Sequence, residues 1–338
     1  MKEIEVTIYH QIPQLLITIV IGILFICGCL DPNAPYNLVP GTVDDDLSLP
    51  QVQLNGTVFH LETFGDSINQ PVIILHGGPG HDYRCMLSLI QDFGQGSLSD
   101  NYFFVFWDQR GAGLSRRHFN EELFTLENYL KDLESVVDAY ARQRKVVLIG
   151  HSWGGGFASM YMNTHPERIA GAVLLEPMSL STELKKQLVN YTDPIMNEWS
   201  MDWVWIRQLI GMNNHAQADY ILSTAVTGDI MKYRGDDKHP FWREGAVVHM
   251  FIDPQLWREG VQYDFTNNLN RLQVRVLFIA GENTKDLGVE FQKIQSQAFP
   301  NARVETVKDA GHYDLVWKRA NESSSIIRDY LESLGLDQ

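Results

Sequence analysis

The feature that most constrains this chain is a set of short, unbroken apolar runs, separated by stretches with helical spacing. Residues 71–75 (PVIIL), 102–107 (YFFVFW), 145–149 (KVVLI), 170–175 (AGAVLL) and 274–280 (VRVLFIA) are of this kind, and 303–307 continue the plan. A strand that is apolar on both faces needs cover on both, which predicts a mainly parallel sheet between layers of helices. Residues 126–142 supply one such helix, with Leu130, Leu133, Val136, Val137 and Tyr140 at helical spacing. Helices are also expected over 156–165 and 323–334, and residues 52–64 read as a hairpin about Asn55-Gly56. Together these runs predict an α/β fold with an eight-stranded sheet flanked by helices. The alternation breaks between 178 and 268. That stretch has no comparable strand run and carries Trp199, Trp203, Trp205, Trp242 and Trp257, so a helical cap is expected there, inserted into a core of residues 51–177 and 269–338.

Composition narrows the function classes. With 44% hydrophobic side chains, the 338 residues can bury a large core. A formal charge of −15 without long basic runs argues against nucleic-acid binding. Three cysteines cannot build a disulfide framework, and Cys85 reads as a buried lone thiol. Residues 15–30 (LLITIVIGILFICGCL) are uncharged and too short to span a bilayer as a helix, but they suit the apolar region of a signal peptide. They close on Ile26-Cys27-Gly28-Cys29, which resembles a bacterial lipobox with Cys29 as the lipidated residue. On that reading 1–28 is a lipoprotein signal peptide, 29–50 a tether, and the catalytic domain lies in the cell envelope outside the cytoplasm. A plain secretory signal and an uncleaved anchor are the alternatives.

The chemistry is expected at strand ends. Gly150-His151-Ser152-Trp153-Gly154 follows the strand KVVLI and precedes a helix, the setting in which a serine on a tight strand-to-helix turn holds its Oγ above a sheet. A nucleophilic serine needs a base and donors for the oxyanion. His312, in Asp309-Ala310-Gly311-His312 after the last strand, is the candidate base. The glycines of His76-Gly77-Gly78-Pro79-Gly80, right after PVIIL, let backbone amides approach the reacting carbonyl, and the amides of Gly78 and Trp153 are the candidate donors. An inert glycine-rich packing turn is the bland reading of each motif taken alone.

HGGPG (76–80), DQRGAGLS (108–115) and GHSWGG (150–155), in this order, resemble the prolyl iminopeptidase branch of the α/β-hydrolases. The resemblance covers the expected core, residues 51–177 and 269–338. It implies a serine exopeptidase that removes an N-terminal residue, typically proline, from short peptides, with the DQR segment as a loop supporting the site. From the residues alone, Arg110 reads equally as a structural ion-pair partner.

Two departures stand out. The fold's usual acid, three residues past a glycine after the strand VRVLFIA, is replaced by Thr284. Glu176, Glu282 and Asp286 remain, and Glu176 is preferred because some lineages of the fold carry the acid after the earlier strand. The second departure lies in the cap. The resemblance implies cap carboxylates that hold the substrate's ammonium, and here Trp199-Ser200-Met201-Asp202-Trp203 has the right residue types in a different order. Asp202 and Glu198 are the first candidates, with Glu244 and Asp253 beside them. No metal or organic cofactor is expected, since the His-x-Glu-type and Cys-pair spacings of zinc sites are absent. The expected partner is a small peptide or ester. The alternatives are a carboxylic ester hydrolase on the same machinery and an inactive ligand-binding lipoprotein.

Overall fold

The computed structural model describes residues 38–188, 206–225, 241–258 and 260–336. The apolar runs form an eight-stranded sheet: β1 (Gln51–Leu54), β2 (Thr57–Phe64), β3 (Gln70–Leu75), β4 (Tyr102–Trp107), β5 (Val146–His151), β6 (Ile169–Leu175), β7 (Val276–Gly281) and β8 (Ala302–Val307). Their spatial order is β1-β2-β4-β3-β5-β6-β7-β8. The β1–β2 and β2–β4 pairs are antiparallel and all the others parallel. The hairpin turns on Asn55 and Gly56, both at positive φ, as a tight turn matched to strand twist requires.

Period-two alternation divides each inner strand between two cores. Ile73, Leu75, Val105, Trp107 and Leu148 face α1 (Leu126–Ala141) and α2 (Trp153–Thr164). Val72, Ile74, Phe104, Phe106 and Ile149 pack with Ile327, Tyr330 and Leu331 of the C-terminal helix Ala320–Ser333. Helix α2 begins at Trp153, three residues before the expected start, because Gly154–Gly156 hide its first turn from a helical pattern. The described part of 178–268 is helical, with α3 (His215–Ala225) and α4 (Ala246–Trp257). Its two ends are stitched together where Thr182 N–H reaches Tyr263 O (3.0 Å) and Phe265 N–H reaches Leu180 O (2.9 Å). Beyond it come α5 (Val289–Ser296) and the C-terminal helix, α6.

Residues 38–43, expected to belong to a tether, are instead packed onto the body, while most of 44–50 is exposed. Val39 and Val43 are buried, Val43 N–H donates to Leu114 O (2.9 Å), and Arg243 donates to Pro40 O (2.8 Å). Apolar side chains at those two positions give the segment something to bury, which its prolines and acidic run conceal. Among the described residues no helix is long and apolar enough to cross a membrane. Cys29 and the apolar stretch 15–30 lie outside the described residues.

Candidate active site

Strand order reverses between β3 and β5: β4 lies beyond β3 on one side, and β6 beyond β5 on the other. A crevice opens at the C-terminal ends of parallel strands at such a point. The register puts Leu75 opposite Gly150, His151 opposite Leu175, and Leu175 opposite Ile279. The candidate residues therefore leave the sheet side by side: 76–80 after β3, Ser152 after β5 and Glu176 after β6.

Ser152 adopts φ 56° and ψ −119°, a conformation that costs a non-glycine residue on the order of 1–3 kcal/mol and persists only where neighbours enforce it. They do so here. Ser152 N–H donates to Leu175 O (3.0 Å), and Ser152 O accepts from Gly155 (3.0 Å), Gly156 (3.2 Å) and Met178 (3.0 Å). At Gly154 a Cβ would stand 1.9 Å from Leu75 O, so only glycine lets the helix start lie this close to the end of β3.

His312 is fully buried, and its Nδ1 lies 2.6 Å from Glu176 Oε2. The other oxygen of Glu176 accepts the Gly281 N–H at 2.7 Å. A carboxylate on Nδ1 places the ring proton there and turns the Nε2 lone pair away from Glu176. The histidine loop is joined to the serine turn directly: His151 Nε2 donates to His312 O (2.9 Å), and the two rings lie 4.6 Å apart. Of the other acids, Glu282 accepts the Asp309 N–H (3.1 Å) and so braces the histidine loop from below. Asp286 is buried with no hydrogen-bond partner at Oδ2 among the described residues.

The HGGPG loop runs across the serine turn, where a Cβ on Gly77 would stand 3.2 Å from Ser152 Cβ. Gly78 sits at φ 116°, and a side chain there would meet Gly80 N at 2.4 Å. Gln109 holds both candidate donor segments. It donates through Nε2 to His76 O (3.0 Å) and accepts the indole N–H of Trp153 (2.8 Å). Burial pushes His76 down to about 4, and the neutral ring accepts the Gln109 N–H at Nε2 (3.0 Å) while Nδ1 donates to Gly77 O (2.9 Å). Arg110 is a structural partner: it forms a buried pair with Asp132 (2.5 and 2.8 Å) and reaches Asn55 O (3.1 Å).

Comparison with known proteins agrees with this fold. The family model for the alpha/beta hydrolase fold matches residues 70–319. A proline iminopeptidase of Lactobacillus acidophilus is 34% identical over 287 residues, covering 79% of this chain and 92% of the relative. The chain belongs to the α/β-hydrolase fold family, in its prolyl iminopeptidase-like branch. Among solved structures, the proline iminopeptidase of Mycobacterium smegmatis has a TM-score of 0.56 at 17% identity, covering 85% of this chain and 98% of that one. A thermophilic esterase from Thermogutta terrifontis has a TM-score of 0.57 at 19% identity, covering 85% of this chain and 97% of that one. These likenesses speak for the fold alone.

In this α/β-hydrolase the cap meets the core beside the HGGPG loop. Glu198 and Asp202 lie outside the described residues. Glu244 and Asp253 lie inside them, together with histidines that sequence reasoning did not single out. Glu244 Oε2 is 2.7 Å from His81 Nδ1 and 3.8 Å from His249 Nε2, while His249 Nδ1 is 3.0 Å from Asp253 Oδ2. His81 Nε2 meets Tyr313 Oη at 2.8 Å, next to His312 in sequence. A Cβ on Gly80 would stand 2.8 Å from the His249 ring, so the cluster touches the loop itself. Burial works to raise Glu244, but His81 and His249 outweigh it and hold the carboxyl down at about 2. Burial likewise opposes charge on His249, and Asp253 with Glu244 overrides it, raising the ring to about 10. The signals were present in the chain: His81 directly follows HGGPG, Tyr313 directly follows Gly-His, and His249 and Asp253 share one face of α4 at i, i+4.

The segment carrying Glu244 is fixed to the core on both sides. Asp82 Oδ2 accepts the Trp242 (2.5 Å) and Arg243 (2.9 Å) amides, and Gly245 N–H donates to Gly80 O (2.7 Å). Trp242 packs edge-on against Tyr83, with ring centroids 5.1 Å apart.

Proposed function

We propose that this hydrolase cleaves peptide or amide bonds next to a free N-terminus by an acyl-enzyme route. Ser152 Oγ attacks the carbonyl carbon while His312 Nε2 takes its proton, and Glu176 holds the imidazole through Nδ1 and stabilises the imidazolium. The amides of Gly78 and Trp153 receive the oxyanion of the tetrahedral intermediate. His312 then returns the proton to the leaving amine as the C–N bond breaks. A water molecule, deprotonated by the same nitrogen, attacks the acyl-serine, and the released acid leaves Ser152 protonated again. One observation supports this most: a buried His312–Glu176 pair is hydrogen-bonded to the serine turn at the strand-order reversal.

Specificity for a free amine rests on Glu244. Its Oε1 has no hydrogen-bond partner among the described residues although the side chain is buried, and an ammonium group satisfies such an oxygen. Lipidation at Cys29, with the domain held at a membrane of the cell envelope, belongs to the same proposal and rests on residues 15–30 of the sequence.

The test is a panel of N-terminally free and blocked prolyl and aminoacyl amides beside short acyl esters. Ser152→Ala should lower kcat/KM by about 10⁴-fold or more, and a fluorophosphonate probe should label wild type alone. A wild type that prefers esters and ignores the free amine would make the protein an ester hydrolase. A wild type that the probe does not label would be a binding protein.

A further inference from the structure

We propose that His81, Glu244 and His249 form a site for a first-row divalent cation such as zinc. The three side chains come from separate segments, the turn after β3, the loop before α4 and α4 itself, so no spacing motif announces them. All are buried, and their ligand atoms lie within 4.8 Å of one another. Two donors on one tetrahedral zinc ion, with bonds of roughly 2.0–2.1 Å, stand about 3.4 Å apart. The separations of 2.7 Å (His81 to Glu244) and 3.8 Å (His249 to Glu244) lie on either side of that value, so the donors must move relative to one another by about 0.4 to 0.7 Å to share one ion.

The outer contacts fit as well. A histidine that ligates a metal commonly holds its other nitrogen against a carboxylate or another polar group, which fixes ring orientation. His249 does this with Asp253 Oδ2 at Nδ1, and His81 with Tyr313 Oη at Nε2. With the ion on His81 Nδ1, the ring proton moves to Nε2, where Tyr313 Oη accepts it, and His249, held protonated by its carboxylate neighbours without the ion, releases its Nε2 proton to solvent as that nitrogen binds. Glu244 supplies a charged oxygen, and its unpartnered Oε1 offers further lone pairs to the same ion. The carboxylates of Glu244 and Asp253 together balance the double charge. Two imidazoles and a carboxylate suit zinc or cobalt better than magnesium or calcium. Three protein donors leave a position for water.

The consequence rests on the reading of Glu244 as the partner of the substrate ammonium. An ion bound here neutralises that carboxylate and competes with the amine, so the site inhibits peptide-amide cleavage and takes no part in bond breaking.

The experiment is calorimetric titration of the full-length protein with Zn²⁺, with visible absorption of a Co²⁺ titration beside it. The expected result is one equivalent of saturable binding in wild type. His81→Gln and His249→Gln should each weaken it by about 100-fold, and Asp253→Asn by about tenfold or more. Circular dichroism confirms that the variants are folded. Absence of one-equivalent binding in wild type overturns the proposal, as does undiminished affinity in both folded histidine variants. Zinc is further expected to raise KM for unblocked substrates. One-equivalent binding that leaves this KM unmoved upholds the metal site and overturns the ammonium reading of Glu244.

Discussion

Glu176 is a residue whose two oxygens are both committed. Oε2 faces His312 Nδ1 at 2.6 Å and Oε1 faces the Gly281 N–H at 2.7 Å, so each oxygen accepts from a donor inside a fully buried site. An amide cannot do both. In Glu176→Gln the NH₂ group must face either the Gly281 N–H, leaving two buried donors opposed, or His312 Nδ1, which forces the ring proton onto Nε2 and removes the base. The expected loss is about 10³-fold or more in kcat, with a small change in KM, read in steady-state kinetics on a free-amine substrate. Asp286→Asn, for which no hydrogen bond to either group is seen among the described residues, should retain activity close to wild type. If the two variants behave alike, the acid has been misassigned.

At the scale of elements, the 108–110 turn shows how one short segment supports a site it does not line. Asp108 accepts from His60 Nδ1 (2.8 Å), Tyr83 N (3.0 Å) and Leu114 N (2.8 Å), Arg110 locks onto Asp132, and Gln109 spans the HGGPG loop and the first residue of α2. Gln109→Leu removes both of its side-chain bonds and leaves His76 O and Trp153 Nε1 buried, each worth about 1–3 kcal/mol. On the proposed mechanism the braced amides serve a charge that develops only in the transition state, so kcat should fall about tenfold or more while KM changes less. A lowered Tm with unchanged kcat would reduce Gln109 to a packing residue. The strands around this turn were legible because parallel strands buried on both faces are written as continuous apolar runs. The serine turn and the Gly-His loop were legible because glycine must stand where backbones nearly touch, as Gly154 does against Leu75 O. What stayed hidden was pairing across distance. Nothing local joins Arg110 to Asp132, or His81 to a glutamate 163 residues further on. The three glycines that allow the start of α2 also erased its helical signal.

At the scale of the molecule, the cap is held down by a buried charge centre. Asp219 on α3 accepts from Arg117 of the core (3.0 Å), from Arg243 (2.6 Å) and from the Ala246 amide (2.8 Å), and the Arg243 guanidinium also reaches Pro40 O. Asp219→Asn leaves two buried guanidinium groups around a neutral amide. It should cost about 3–5 kcal/mol, measured as a shift in the urea or thermal unfolding midpoint; a shift under about 1 kcal/mol would show that cap and core are joined elsewhere. The same contacts set how a membrane anchor can act. On the proposed lipidation, the leash from Cys29 to Val39, the first buried residue among those described, is ten residues long. At no more than about 3.6 Å per residue such a leash reaches at most roughly 36 Å, which on that proposal would hold the catalytic domain near the headgroups. The proposal predicts that wild type fractionates with membranes and carries a lipid-modified N-terminal cysteine by mass spectrometry, while Cys29→Ala loses the modification. Inserting about twenty flexible residues between 30 and 37 should leave turnover of a short soluble substrate unchanged and extend reach to substrates tethered further from the bilayer. A Cys29→Ala chain that stays lipidated would remove the leash from consideration, and with it the short tether between bilayer and site.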